Sequence, residues 1–276
     1  MSEIRSILVH AEDSPAFAGR LQAAYRLAEQ FDATVTAAYA ATPSPIAFPA
    51  GFDAGAEVAA ALQTFDIDRR DRAKALVDAA VASSMPRLAW EDLQGEPVQA
   101  FGHAALYADL VVAGQADPRA TLPAVPPEFI ELVALASGTA TLIVPYIGLP
   151  PTLGRTALIA WKASRESARA VAAALPLLQA ADHVHVALWD SPRSSAAAEA
   201  PRIEAWLHQH DVRATLHRNG HETADLGEQF LSRAADLGAD LLVMGCYGHS
   251  RAREWMLGGA TRSVMRSMTL PVLTAH

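Results

Sequence analysis

The chain has 276 residues, of which 51% are hydrophobic and 19% charged, with a formal net charge of −8 at pH 7. That length suits two domains of about 130–150 residues, and the composition excludes wholesale disorder. The acidic balance argues against nucleic-acid and anionic-membrane partners, which need a basic face, and a single cysteine, Cys246, excludes an intrachain disulfide framework.

The start "MSEIRSILVH" has no secretory apolar region, and no apolar stretch reaches membrane-span length free of charge or proline, so the expected location is the cytoplasm. "SILVHAEDSPA" then reads as a short strand, a polar turn with Ser14 and the start of a helix. Phe17, Leu21, Ala24, Leu27 and Phe31 fall on one helical stripe. A Pro/Gly/Phe-rich loop, "TPSPIAFPAGFDAG", precedes a long Ala-rich helix expected over 55–84. "ADLVVAG" and "TATLIVPY" are further strand signals, and "YIGLPPTLG" over 146–154 breaks periodicity as a linker.

The same order then repeats. "TALIAWKASRE" matches the opening strand and turn, with Ser164 in the place of Ser14. Ala168, Val171, Leu175 and Leu178 form its helical stripe, and "ADLLVMG" matches "ADLVVAG". Strands are predicted near 155–160, 183–188, 212–217, 240–244 and 271–275. Near-continuous apolar strands alternating with helices predict an α/β fold. The expectation is two tandem doubly wound domains, 1–148 and 153–276, each an open five-stranded mainly parallel sheet with helices on both faces.

Ligands of such sheets bind at the carboxyl ends of strands. "DLLVMG" ends there at Gly245. Gly248 follows, with His249, Ser250 and Arg251 beside it, and Gly258, Gly259, Ala260 and Thr261 open the next helix. Bare backbone admits close approach of N–H groups to an anion. A helix N-terminus adds unpaired donors and a favourable dipole. The spacing therefore predicts a phosphate cradle. A P-loop lysine motif is absent here, and the dinucleotide fingerprint would have to follow the first strand.

Gly-x2-Gly-x9-Gly followed by a small residue, ahead of "PVL", resembles the ATP-binding signature of universal stress proteins. "ALIAWKAS" is similar to that family's opening strand and turn, so both halves together resemble a tandem universal stress protein. The resemblance implies a stress-response protein that binds ATP or another adenine nucleotide, with or without Mg²⁺, as a regulatory ligand. Carried over by position, Gly245, Gly248, Gly258 and Gly259 would line the phosphates. Lys162 would lie near the adenosine, and Leu188, ending its strand, would offer backbone contacts to the base. Two residues depart from the family: Lys162 replaces an acidic or amide residue and cannot accept hydrogen bonds, and Gly259 replaces Ser/Thr. The resemblance also implies pairing of domains, met within the chain as a pseudo-dimer or between two chains as a homodimer.

The first half is expected to lack the cradle. Asp117 aligns with Gly248, Glu128 and Phe129 with Gly258 and Gly259, and Glu131 with Thr261. Carboxylates there would repel phosphate, and Pro126 and Pro127 remove two donors. Glu12 and Asp13 read as solvated turn carboxylates. His183 and His185 share one strand face at a spacing compatible with a metal, though neither cysteine nor carboxylate joins them in sequence. His208 and His210 would diverge at a helix end. Cys246, inside the glycine loop, reads as a small residue at a variable position, the alternative being a thiol whose oxidation gates access. Trp255 and Met256 are expected to pack beside it. No catalytic triad or carboxylate pair is visible. The alternatives are an interaction module that works without nucleotide, and a weak ATP hydrolase, which would need a positioned base and a metal carboxylate.

Overall fold

The computed structural model describes residues 3–44, 56–83, 85, 87–190, 195–221, 225–246 and 259–276. Among them are ten strands and eight helices in an α/β arrangement, divided into two compact units, Ile4–Ser137 and Gly138–His276. No helix in the described residues is long and apolar enough to cross a membrane.

The first unit runs β1 (Ser6–Ala11), α1 (Ala16–Phe31), β2 (Thr34–Tyr39), α2 (Ala56–Ser83), β3 (Leu88–Asp92), α3 (Pro97–Ala105), β4 (Leu110–Gly114) and α4 (Phe129–Ser137). Its sheet order is β3-β2-β1-β4, and all three pairings are parallel. β1 and its neighbour β4 are almost wholly buried, as strands covered on both faces must be. β3 alternates toward solvent, as suits an edge strand. Local chemistry sets the helix ends. Asp32 adopts a left-handed conformation (φ 54°) and returns its N–H to Ala28 O, stopping α1. Glu96 caps α3 by accepting from Val98 N and Gln99 N, with Pro97 at the first helical position. The long Ala-rich helix matches its prediction at both ends within a residue, and buries only a narrow stripe through Arg69, Ala73 and Val77.

The second unit holds β5 (Thr141–Val144), β6 (Thr156–Trp161), α5 (Arg165–Ala180), β7 (His183–Asp190), α6 (Ala196–Gln209), β8 (Thr215–His221), α7 (Leu226–Asp236), β9 (Leu241–Gly245), α8 (Gly259–Ser267) and β10 (Val272–Ala275). The order is β5-β10-β9-β6-β7-β8. All of its pairings are parallel except β5 against β10, with Leu142 opposite Leu273. That antiparallel ladder places β5 in the second unit. The units so divided hold four and six strands, where the repeat suggests five and five.

β8 starts three residues later than predicted. Val212 is the cause: its N–H bonds to Leu207 O and its side chain is 2% exposed. Together with Asp211 at φ 60°, it closes the end of α6 instead of opening a strand.

Candidate functional site

The carboxyl edge of β6, β7 and β9 holds the predicted residues that the structure describes. Gly245 ends β9, Lys162 follows β6 on the surface, and Gly259, Ala260 and Thr261 form the first turn of α8. Gly248, His249, Ser250 and Gly258 lie outside the described residues, as do Arg251, Trp255 and Met256.

Gly245 is bare for a reason the sequence does not show. A Cβ there would lie 2.4 Å from Ser167 N and 2.6 Å from the Glu166 carbonyl carbon. The first turn of α5 therefore sits directly on the strand end. Ser164 caps that helix, accepting from Ser167 N at 3.2 Å. Buried Glu166 is held by Arg165 Nε at 2.6 Å. Burial pushes its pKa up, but the bond to Arg165 and its own backbone N–H outweigh that, so the net shift is downward. Its charge is thus offset beside the strand end.

Gly259 differs, because among the described residues nothing lies within 4 Å of the Cβ it lacks. Thr261 is buried, and Ser263 Oγ donates to Asp225 Oδ1 at 2.7 Å, tying α8 to the capped start of α7. Gly227 makes this close approach possible, since a Cβ there would meet Ala260 O and Ser263 Cβ at 2.6 Å. At the end of β6, Trp161 Nε1 is buried with no hydrogen-bond partner among the described residues. An indole N–H can only donate, so this edge carries an unanswered donor.

Leu188 does not end its strand, because β7 continues to Asp190. Its side chain is buried and its carbonyl accepts from Asn219 Nδ2 at 3.4 Å. Cys246 is buried, its Sγ donating to Ala275 O at 3.3 Å.

The first unit fills its equivalent edge. With the opening strands aligned, His10 stands for Ala160, Glu12 for Lys162 and Arg20 for Ala170; with the last helices aligned, Phe129 stands for Gly259. His10 and Arg20 are 1% and 2% exposed. His10 Nε2 donates to Ala40 O at 2.9 Å, so its Nδ1 accepts from Arg20 Nη1 at 3.3 Å. Arg20 also donates to Glu12, which accepts from Ser14 Oγ at 2.7 Å. Phe129 and Phe101 close over the imidazole at 4.6 and 5.4 Å.

Burial lowers the His10 pKa to about 4, against the pull of Glu12. Burial raises that of Glu12, but Arg20, His10 and Ser14 together bring it down to about 2. Asp13 is shared by Arg69 Nε at 3.1 Å and Arg72 Nη2 at 2.8 Å. Both carboxylates expected to be solvated are thus engaged by arginines. Glu131, opposite Thr261, has its pKa raised by burial.

Sequence reading missed Arg20 and His10. The signals were an arginine on the apolar stripe of α1, between Phe17 and Ala24, and a histidine inside "ILVHA". It also paired His183 with His185, whereas the structure brings His185 to His217 across two strands. The two imidazoles have pKa values lowered by burial first and then by neighbouring positive charge. His210 packs against Trp206 with ring centroids 4.3 Å apart. Among the described residues no group of three or more His, Cys, Asp or Glu forms a metal cluster.

No family model matches the chain. A universal stress protein of Synechocystis is 49% identical over 39 residues, which are 14% of this chain and 14% of that protein. The matched segment thus spans about a seventh of the relative's length. The solved structure of a universal stress protein from Archaeoglobus fulgidus superposes with a TM-score of 0.70 at 14% identity, covering 98% of this chain and 96% of that one. A putative universal stress protein from Pseudomonas aeruginosa gives 0.61 at 15% identity over 98% and 92%. Along nearly its whole length, this chain carries the universal stress protein fold.

Proposed function

We propose that the chain is a tandem pair of universal stress protein domains, 1–148 and 153–276, acting in the cytoplasm as a stress-response regulator. In this reading only the C-terminal domain binds ATP or a related adenine nucleotide, as a regulatory ligand and not as a substrate. The observation that carries it is the contrast at one equivalent position. Phe129 is buried against His10 and Phe101, whereas no described residue comes within 4 Å of the side chain that Gly259 lacks.

The backbone N–H groups of Gly259, Ala260 and Thr261 open a helix of nine residues, and unpaired donors at such an end favour a phosphate. Gly248, His249, Ser250 and Gly258 would complete the seat from the loop. Gly245 would set the loop's departure from the sheet by admitting α5. Lys162 would meet the phosphates by charge, and the orphaned Trp161 Nε1 offers a donor on the same edge.

Isothermal titration with ATP, ADP and AMP tests this, beside Gly248→Asp, which copies Asp117. Saturable heat with the native chain and its loss in the variant are expected. No saturable heat with any of the three overturns the reading, and steady Mg²⁺-dependent phosphate release would replace it with hydrolysis.

A further inference from the structure

The pair His185 and His217 lies outside the edge just described. His185 is opposite Leu158 in the sheet, and Leu158 is opposite Leu242. It therefore sits three residues, or about 10 Å, from the level of Gly245 toward the amino ends of the strands. β7 and β8 run parallel with His185 opposite Thr215 and Ala187 opposite His217, which puts both imidazoles on one face, diagonally adjacent. Helix α7 covers that face: Phe230 packs on Trp189 at 5.0 Å, and Arg233 Nε donates to Asn219 Oδ1 at 3.0 Å. Both histidines are half-buried, so a solute can reach them.

His217 Nε2 and His185 Nδ1 face each other at 3.1 Å. Two nitrogens bound to one tetrahedral zinc ion at about 2.0–2.1 Å stand about 3.3 Å apart. In a square-planar copper site the separation is about 2.9 Å. The observed spacing falls between these values, and rotation of the rings turns both nitrogens toward one ion.

We infer that His185 and His217 form a two-imidazole chelate for a divalent transition ion of the zinc or copper class, completed by water. Binding of the ion displaces the proton shared between the rings. That proton moves, through solvent, to the other nitrogen of the same imidazole, so both ligands stay neutral and no net proton is released. No third His, Cys, Asp or Glu among the described residues completes a cage, so the site is open and exchangeable. It is not a structural site of the closed kind. His183, two residues earlier on the same face, and Arg233 of α7 are the charged or titratable neighbours acting on the pair. Arg233 opposes the cation and sets a ceiling on affinity.

The test is titration of the full, tag-free chain with ZnCl₂ and, separately, CuSO₄, followed by calorimetry and by the imidazole ¹H–¹⁵N correlation spectrum. One equivalent is expected to bind and to shift the His185 and His217 signals together. His185→Ala, His217→Ala and the shape-conserving His217→Gln should each weaken binding at least about tenfold, whereas His208→Ala should not change it. Arg233→Ala should tighten it by about threefold, by removing a nearby like charge. Absence of saturable binding up to millimolar metal overturns the inference, as does binding that persists unchanged in His217→Gln.

Discussion

Gly114 and Gly245 end equivalent strands, but different things cover them. A Cβ on Gly114 would meet the Arg20 side chain, at 2.8 Å from Cδ; a Cβ on Gly245 would meet the backbone of α5. In the first unit a charged side chain is folded inward against Glu12 and His10, and two aromatic rings pack on the His10 imidazole. In the second unit the counterparts of His10, Arg20 and Phe129 are Ala160, Ala170 and Gly259. The comparison teaches that, in the proposed reading, the first unit closes this edge by filling it with internally satisfied side chains, more than by placing repulsive charges there. Asp117, expected to act by repulsion, is bound to Arg119 on the surface.

The largest effect should come from removing the keystone of the filled edge. Arg20→Ala leaves Glu12 and His10 without their shared partner, and an uncompensated buried charge costs about 3–5 kcal/mol. A urea titration of the variant should show that loss, while Ala170→Gly in the second unit costs about 1 kcal/mol through helix propensity.

Acid should separate the units next. His10 has a pKa of about 4 against an ordinary 6.5. The unfolded chain therefore takes up a proton below pH 6.5 that the folded chain refuses until about pH 4. Stability is complete above 6.5 and declines between those values, by on the order of 3 kcal/mol. Glu12 adds a second window: its contribution is whole above about 4.5 and is lost as pH falls toward about 2. In His10→Gln the slope between pH 6.5 and 4 should flatten in thermal melts. An unchanged slope would mean the histidine is not the group being titrated.

Smaller again is Gly245→Ala. The contacting atoms are backbone, so the helix must shift, at about 2 kcal/mol. Gly114→Ala pushes on a side chain, and a lower unfolding midpoint for Gly245→Ala than for Gly114→Ala would confirm the order. The smallest effect on stability belongs to Gly259→Phe, which copies Phe129 onto an exposed position. It should cost under about 0.5 kcal/mol, as surface substitutions do, yet abolish any nucleotide heat.

Much of the fold was legible because its signals are local. Apolar runs such as "DLLVMG" become buried strands, and "SRES" carries its own helix cap. What escaped was non-local or two-sided. Val212 looked like a strand residue, but the helix before it uses it as a lid. Glu12 and Asp13 looked solvated because Arg69 and Arg72 lie more than fifty residues away along the chain, and because Arg20 reaches Glu12 only once α1 has formed. Gly245 was visible as a glycine, but the sequence could not say whether a ligand or a helix occupied the space beside it. Chemistry across β7 and β8 was hidden for the same reason: strand neighbours are not sequence neighbours.

The antiparallel ladder between β5 and β10 has a practical consequence for anyone dissecting the chain. A fragment beginning at residue 153, where the sequence invites a cut, would strip β10 of a partner and bare the amides and carbonyls of a wholly buried strand. Such a raw margin recruits other chains, and that fragment should precipitate or self-associate.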